Sequence, residues 1–458
     1  MSSKWQPKTV GDVCSAVFSG GTPTSTNAAY YGGRIPWLRT KEVNYKKITS
    51  TENHITQLGL ANSSAKLVPV NSVIVAMYGN GDTAGRVAIN KIPVTTNQAC
   101  CNLVVDSDQA DYRFVYYYLM SKYQDLVHLK NGGAQQNLNG KTIKGFPISV
   151  PDVDVQKSIA DMLEALDDSI DVLVSQNTAL ETLAQTIFRS WFVDFDPVHA
   201  KAAGSAPDDM SAELAALFPT EFEASELGLI PKGWTVASFG ECLMHTIGGD
   251  WGKDVPDEKH IKAVRIIRGT DMPDLLRSDS KTVPARFVQP SKLGQRKLAP
   301  YDLVVEVSGG SRDQSTGRAL MVTQTMLSEL GGVAVPASFC RLFRPRSPEL
   351  GVILGRRLAW HYKEGNMWGY QVQSTGIANF QTNYFLTNDK MALPPEALQA
   401  KFMEIVGPML QSSCNPVIRA LEQLRDHLLP RLISGKLRLE DAEASIAAIT
   451  SELEAEPA

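Results

Sequence analysis

Two long stretches of the chain carry hydrophobic residues at steps of three and four, which is the spacing of one stripe along a helix. The first stripe consists of Val155, Ile159, Met162, Leu163, Leu166, Ile170, Leu173, Leu180, Leu183, Ile187 and Phe188, and the second of Leu398, Phe402, Ile405, Val406, Val417, Leu421, Leu424, Leu428 and Leu432. Pro408 and Pro416 should interrupt the second helix near its start. A helix of about 40 residues is roughly 60 Å long, and its narrow apolar stripe has to be buried. The two segments are therefore predicted to pack as an antiparallel coiled coil.

Each helical stretch follows a region of short β-rich runs, such as "SVIVAMY" and "DLVVEVSG", separated by glycine turns. These regions predict two α+β domains of mixed α/β globular type, joined by the two long helical segments. The expected boundaries are 1–150 for the first domain, 151–197 for the central helical region, 198–226 for a linker, 227–393 for the second domain, 394–440 for the distal helical region and 441–458 for a C-terminal tail.

The two halves of the chain also resemble each other in sequence, which indicates an internal duplication. The matched residues include Trp5 with Trp234, Gly11 with Gly240, Arg39 with Arg268, Pro69 with Pro300, Arg86 with Arg318 and Gly133 with Gly376. One chain would then supply the pseudo-twofold symmetry that a dimer supplies elsewhere.

The loop "NGGAQQNLNGKT" ends in Gly-Lys-Thr and raises the question of a phosphate-binding P-loop. The spacing excludes one, because the first glycine of that motif would fall at position 135, which is Gln135. The flanks are also wrong, since an amphipathic helix precedes the loop and a strand-like run follows it. The duplicated copy has Asn383-Tyr384-Phe385 where this loop has Gly-Lys-Thr, although a phosphate-binding lysine would be needed in both copies.

Charge alternates along the chain although the total is only −4. The net charge is +7 over residues 1–150, −13 over 151–226, +6 over 227–393 and −4 over 394–458. The two basic blocks coincide with the two globular domains, and such blocks suit a polyanion such as DNA. The six cysteines form no C-x-x-C pair, and we find neither an apolar signal segment nor a run long enough to cross a membrane, so a cytoplasmic protein without structural zinc is expected.

Four segments resemble, in the family's order, the specificity (S) subunits of type I restriction–modification enzymes, the HsdS family. They are "SGGTPTSTNAAYYGGRIPWLRTKEV", "TIFRSWFVDFDPVHAK", "LGLIPKGW" and "LLPRLISGKLRL". The resemblance covers nearly the whole chain. It implies two target-recognition domains, each reading one half of a bipartite DNA site, and a helical spacer that sets the gap between the halves.

The resemblance further implies partners and cofactors. Two methyltransferase (M) subunits, which bind S-adenosylmethionine and methylate adenine, would dock on the helices. Restriction (R) subunits, which use ATP and Mg²⁺, would join for cleavage. No cofactor or metal is expected on this chain itself.

The lack of complete catalytic motifs supports a non-catalytic role. The lone Pro-Pro, in "LPPEAL", lacks the aromatic residue of an adenine methyltransferase motif, and no nuclease, helicase or cofactor-loop signature is present. Asp194 and Asp196 in "VDFDP" could be taken for a metal pair, but they end a helix in a segment typical of the family.

Candidate DNA-binding residues are the basic, amide, hydroxyl and aromatic side chains of loops in the two domains. They are Thr22, Thr24, Arg39, Thr40, Lys41, Tyr78, Asn80, Arg86, Gln135, Gln136, Asn137 and Lys141 in the first domain, and Trp251, Lys253, Arg268, Thr270, Ser311, Arg312, Arg318 and Gln373 in the second. Because the two domains are expected to read different sequences, the shared Arg39 and Arg268 suit a phosphate contact or a fold requirement better than base readout. The alternatives left open are a specificity subunit of a modification-only system, a coiled-coil scaffold that binds no DNA, and a stand-alone nuclease or ATPase.

Overall fold

The computed structural model of the chain describes residues 5–79, 82–130, 137–311, 313–374, 377–412 and 415–455. They fall into two compact units. The first unit comprises Met1–Ile170 together with Leu421–Ala458, and the second comprises Asp171–Ala420. The first unit is thus built from both ends of the sequence.

The first unit contains strands β1 (Gln6–Thr9), β2 (Cys14–Ser19), β3 (Tyr31–Leu38), β4 (Lys47–Ile48), β5 (Asn53–Ile55), β6 (Leu67–Val68), β7 (Val73–Ala76), β8 (Val87–Asn90), β9 (Val94–Thr96), β10 (Cys100–Val105) and β11 (Pro147–Val150). They form a sheet in the order β2-β10-β7-β8-β4, a second sheet β5-β3-β9-β6, and the pair β1-β11. Every residue of β7 is buried, which explains why this run is continuously apolar rather than alternating.

The second unit contains strands β12 (Phe222–Ser225), β13 (Gly228–Pro231), β14 (Thr235–Ser238), β15 (Leu243–Gly248), β16 (Lys262–Ile267), β17 (Ala285–Val288), β18 (Leu303–Glu306), β19 (Ser308–Gly309), β20 (Ala319–Met321), β21 (Ala334–Pro336), β22 (Cys340–Pro345), β23 (Gln371–Ser374), β24 (Ile377–Phe380) and β25 (Lys390–Leu393). Their sheets have the orders β15-β22-β18-β20, β17-β16-β21, β14-β25, β19-β24-β23 and β12-β13.

Strand order confirms the internal duplication. The series β2-β10-β7-β8 of the first unit recurs as β15-β22-β18-β20 in the second, β5-β3-β9 recurs as β17-β16-β21, and β1-β11 as β14-β25. Strand direction agrees as well, because β3 pairs parallel with β9, and β16 pairs parallel with β21. Each unit therefore contains one copy of the same α+β domain, called here the first and the second recognition domain.

The helices are α1 (Gln57–Ala61), α2 (Tyr112–Ser121), α3 (Tyr123–His128), α4 (Gly140–Lys144), α5 (Val153–Phe192), α6 (Asp196–Ala202), α7 (Ala212–Ala216), α8 (Met272–Leu275), α9 (Pro290–Arg296), α10 (Gln324–Glu329), α11 (Pro348–Lys363), α12 (Thr382–Asn388), α13 (Glu396–Ser412), α14 (Pro416–Ile433) and α15 (Leu439–Ala455). The 40-residue α5 confirms the helix predicted from the first apolar stripe. The second stripe is divided between α13 and α14.

Within the first unit, the start of α5 packs against α14. Leu163 and Leu166 share a buried core with Leu428 and other residues of α14, and burying one such side chain stabilises the fold by about 1.5–3 kcal/mol. At the edge of this contact, Arg425 Nη1 donates to Asp167 Oδ1 at 2.9 Å. The apolar stripe of α5 thus has its partner in the C-terminal part of the chain.

Within the second unit, the end of α5 packs against α13. The ring centroids of Phe192 and Phe402 are 4.7 Å apart in an edge-to-face arrangement, and Trp191 also contacts Phe402. Later residues of α5 therefore meet earlier residues of the distal segment. This reversed order confirms the predicted antiparallel pairing.

Three details differ from the sequence expectation. Pro408 lies inside α13 and does not end it, whereas Pro416 interrupts the second stripe as expected, because it is the first residue of α14, where the missing N–H is not needed. The segment 198–226, expected as a linker with one short helix, has that helix as α7 but also contains the strand β12, and its Phe218 is buried in the core of the second unit. The C-terminal segment, expected as a tail, continues the fold as α15.

Candidate nucleic-acid interface

Backbone hydrogen bonds allow the two recognition domains to be matched residue by residue. The equivalent bonds are Met77 N to Ala99 O with Val307 N to Phe339 O, Gly21 N to Thr96 O with Asp250 N to Pro336 O, and Asn97 N to Leu38 O with Ala337 N to Ile267 O. In addition, Ala76 is paired with Cys100 on the neighbouring strand, as Glu306 is with Cys340.

This register defines six matched positions at one end of the sheets. They are occupied by Thr22, Arg39, Lys41, Ala76, Tyr78 and Ala99 in the first domain and by Trp251, Arg268, Thr270, Glu306, Ser308 and Phe339 in the second. Seven of these twelve residues are candidates from the sequence. The arginine is the one side chain shared by both domains, and the other five positions differ in size, charge or polarity.

Arg39 and Arg268 occupy the same turn, which follows β3 in one domain and β16 in the other. The Arg39 amide donates to Glu42 Oε1 at 3.1 Å, and the Arg268 amide donates to Asp271 Oδ2 at 2.9 Å. An acidic side chain therefore closes the turn in both copies.

The two guanidinium groups differ in their surroundings. That of Arg39 is exposed and lies 5.9 Å from the centroid of the Trp37 ring, and no acidic side chain of the described residues forms an ion pair with it. That of Arg268 donates to both oxygens of the buried Asp271, at 2.9 and 2.6 Å, and to the Thr282 carbonyl at 2.7 Å. The bonds to Asp271 raise the pKa of Arg268.

Other candidates of the first domain lie on exposed or half-buried positions with local partners. Thr22 hydrogen-bonds Gln98, and Lys41 forms an exposed ion pair with Glu52. Thr24 is exposed, and Thr40 is half-buried in the Arg39 turn. These hydroxyl and ammonium groups are accessible to a ligand.

Tyr78 and Arg86 are less accessible to a ligand than these candidates, because both have contacts within the domain. Tyr78 is half-buried against the core, and burial raises the pKa of its hydroxyl. Arg86 donates to Asn44 Oδ1 at 2.8 Å and is paired with Asp82 at 2.6 Å. The hydrogen bond from Arg86 holds the pKa of the Asp82 carboxyl below its usual value.

The loop before α4 is described only in part. Asn80, Gln135 and Gln136 lie outside the described residues, while Asn137 is half-buried. Lys141 is exposed on α4, whose first turn is capped by Asn139 Oδ1 accepting from the Thr142 amide at 2.9 Å. A five-residue helix followed by a strand is not the setting of a P-loop, in agreement with the spacing argument.

In the second domain, the structure brings three sequence candidates together around one cavity of about 560 Å³. These are Trp251, Arg268 and Thr270. The cavity is also lined by Gly269, Glu306, Ser308, Gly309, Ala337, Ser338 and Phe339.

The remaining candidates of the second domain do not line this cavity. Lys253 is paired with Asp257 at 2.6 Å, and Arg318 Nη1 donates to the Gly269 carbonyl at 3.1 Å. Ser311 and Gln373 are exposed, and Arg312 lies outside the described residues.

Sequence reasoning missed Glu306 and Phe339. Glu306 interrupts the buried run "LVVEV" at the end of β18, and a charge in such a run was a usable signal. Phe339 is 67% exposed in the turn before β22. Nothing in the local sequence distinguishes it from a core residue, because its exposure depends on the register of the sheet.

In the part of the chain that the structure describes, no group of three or more His, Cys, Asp or Glu side chains is placed to hold a metal ion. Asp194 instead accepts from Arg189 Nε at 2.8 Å, and Asp196 begins α6. None of the described helices is long and apolar enough to span a membrane.

Comparisons with known proteins agree with this architecture. Residues 2–182 match the family model described as the type I restriction modification DNA specificity domain. The MjaIX specificity subunit of Methanocaldococcus jannaschii is 25% identical over 456 residues, covering 95% of this chain and 94% of that protein. The EcoR124I/EcoR124II specificity subunit of Escherichia coli is 28% identical over 164 residues, covering 35% of this chain and 40% of that protein.

A solved structure shares the fold. The type I restriction–modification S subunit from M. genitalium superposes with a TM-score of 0.53 at 16% identity, covering 94% of this chain and 96% of that one. Together with the sequence matches, this confirms the resemblance read from the sequence. Residues 2–182 thus carry a type I restriction modification DNA specificity domain, and the chain is similar to type I specificity subunits over nearly its whole length.

Proposed function

We propose that this chain is the DNA-reading subunit of a type I restriction–modification complex and that each recognition domain reads one half of a bipartite site. The observation that carries the proposal is the set of matched positions. One backbone, used twice, presents different side chains at five of six equivalent places. Readers of two different half-sites need this combination of a common frame and divergent contacts.

Charge supports the assignment of DNA as the ligand. Residues 1–150 and 227–393, which contain the two recognition domains, carry net charges of +7 and +6, whereas the segment between them carries −13. Phosphate contacts supply much of the affinity of DNA-binding proteins and depend on basic side chains. The basic blocks are the parts of the chain that we propose to touch the duplex.

The helices α5, α13 and α14 are proposed to act as a spacer and as the docking site for two M subunits. Those subunits would bind S-adenosylmethionine and methylate adenine, and R subunits with ATP and Mg²⁺ would be added for cleavage. The recognition chain contributes position and sequence choice, and catalysis belongs to its partners. Two readers on a stiff spacer can reach groove faces about one helical turn, roughly 34 Å, apart.

The direct test is a base-resolution map of N6-methyladenine on DNA modified by the complex of this chain with its M subunits. We expect one motif with two defined halves separated by a gap of fixed length. Methylation without a motif, or a single continuous motif, would contradict the proposal. A gel shift with the M subunits present separates it from a scaffold that binds no DNA.

The spacer has its own test. Four residues inserted near Leu180 lengthen α5 by roughly 6 Å, so the gap should grow while both half-sites stay unchanged. An unchanged gap would remove the spacer role and leave half-site reading intact.

A further inference from the structure

The cavity of the second recognition domain contains a carboxylate with one buried oxygen that accepts no hydrogen bond from the described residues. Glu306 lines the cavity, and its Oε2 is shielded from solvent without a hydrogen-bond partner among the described residues. A buried acceptor without a donor costs free energy, so such a group usually has a reason to be there.

The backbone around Glu306 leaves room for this carboxylate. A Cβ at Gly269 would lie 2.3 Å from Glu306 Oε1, and a Cβ at Gly309 would lie 2.7 Å from it. In the first domain the positions of Glu306 and Gly269 are taken by Ala76 and Thr40. The second domain thus combines a larger side chain, Glu306, with a smaller neighbouring residue, Gly269.

Neighbouring arginines do not satisfy the acid. Arg268 is occupied by Asp271 and by the Thr282 carbonyl, and Arg318 donates to the Gly269 carbonyl. No ion pair within 4.0 Å joins Glu306 to a basic side chain of the described residues, and the nearby charge of Arg318 only partly offsets the effect of burial, which raises the pKa of Glu306.

Two aromatic side chains border the same cavity. Trp251 is 38% exposed and is held by Arg286, whose guanidinium carbon lies 4.3 Å from the ring centroid. Phe339 is 67% exposed. Exposed rings beside a recessed acceptor form a surface that can make apolar contact with base edges in the major groove, such as a thymine methyl group, while a neighbouring base edge meets the carboxylate.

We propose that Glu306 determines specificity in the half-site read by the second domain, where it accepts a hydrogen bond from the exocyclic amino group of an adenine or a cytosine. This inference rests on the proposed function. Adenine presents N6–H₂ and cytosine N4–H₂ in the major groove, whereas guanine and thymine present the acceptors O6 and O4. A carboxylate accepts from the first pair and repels the second.

The test begins with wild-type protein, so that folding is not in question. Duplexes carrying the mapped site are bound by the complex with M subunits, and each adenine or cytosine of the second half-site is replaced in turn by its analogue without the exocyclic amine. One replacement should weaken binding roughly tenfold in the wild type and have no effect on the Glu306→Ala complex. Equal losses in both complexes at every position would overturn the proposal.

Methylation maps provide the second readout. Glu306→Gln supplies an amide that donates as well as accepts, so guanine or thymine should become tolerated at that one position, while the other half and the gap stay unchanged. Glu364→Gln, an exposed change that does not line the cavity, is the matched control and should leave the map unaltered. A Glu306→Gln map identical to the wild type refutes the inference alone, whereas a wild-type map without a bipartite motif refutes the proposed function and the inference with it.

Discussion

The two recognition domains differ least in their backbone and most in the side chains that the backbone presents. Strand order and the paired hydrogen bonds agree between the copies. At the matched positions, however, the first domain has Thr22, Ala76 and Ala99 where the second has Trp251, Glu306 and Phe339. Side chains at matched positions of a duplicated backbone can therefore differ without a change of fold, provided that adjacent residues differ as well, as Gly269 does from Thr40.

The domains also attach to α5 by different chemistry. In the first unit, the Tyr117 hydroxyl on α2 donates to Asp167 Oδ2 at 2.7 Å, and burial raises the pKa of this tyrosine. In the second unit, Arg356 on α11 is paired with Glu181. The first copy adds a buried phenol to the guanidinium that both copies use, because Arg113 on α2 also donates to Glu164 of α5 at 2.8 Å.

The largest expected effect comes from a buried ion pair confined to the second unit. Arg357 donates to both oxygens of Asp389 at 2.7 Å, and His361 Nε2 lies 3.0 Å from Asp389 Oδ1. Although burial opposes the charge, the bonds from His361 and Arg357 lower the pKa of Asp389.

Asp389→Ala should therefore destabilise the second unit by about 3–5 kcal/mol, because it leaves a buried cation unpaired. The measurement is denaturant unfolding followed by tryptophan fluorescence. The control is Asp194→Ala, which removes the exposed ion pair with Arg189 and should cost no more than about 1 kcal/mol. If both substitutions lowered the free energy of unfolding by the same amount, the larger contribution assigned to the buried ion pair would be wrong.

The next effect concerns DNA affinity. Replacing Trp251 by Thr and Phe339 by Ala, as in the first domain, should weaken DNA binding of the complex roughly 10- to 100-fold, because apolar contact with base edges is lost. Trp368→Ala is the control, since Trp368 is 43% exposed in the same unit but does not line the cavity. A comparable loss for the control would show that the cavity has no special part in binding.

Substitution of the two matched arginines should have smaller effects, and these should differ in kind. Arg39→Ala should lower the slope of log affinity against log salt by about one, because its exposed guanidinium is available for a phosphate. Arg268→Ala should mainly reduce the stability of the second unit, because it breaks the bonds to Asp271. Binding titrations from about 0.05 to 0.2 M salt, paired with thermal unfolding, distinguish these outcomes. Equal salt slopes for Arg39→Ala and wild type would remove Arg39 from the interface.

The smallest effect is one of pH on stability. Burial raises the pKa of Glu306, so its ionised form is disfavoured in the folded state. The wild type should therefore gain stability as pH falls through that raised pKa. Glu306→Gln should exceed the wild type by about 1 kcal/mol at pH 7, or roughly 2–4 °C in Tm, and the difference should vanish below the ordinary glutamate pKa of 4.5. A variant less stable than wild type at pH 7 would show that Glu306 serves the fold.

Periodicity alone predicted α5, the antiparallel pairing and the duplicated α+β domains, because these depend on one apolar stripe and on short apolar runs. The cavity could not be predicted in this way. Its lining comes from four separate segments, and the contact of Glu306 with Gly269 exists only once the strand register is known. Likewise Phe218 looked like part of a linker, because the apolar run that it ends, Leu214 to Phe218, is too short to show a period that would reveal its burial.

Half-site reading by separate domains is tested most directly by a pair of methylation maps. One map is made with a variant of the first domain, Lys41→Ala, and the other with a variant of the second, Phe339→Ala. Both changes are at exposed matched positions. We predict that each variant relaxes base preference in one half of the motif, that the two halves are different, and that the gap stays the same. Relaxation of the same half by both variants, or of both halves by either one, would contradict the account.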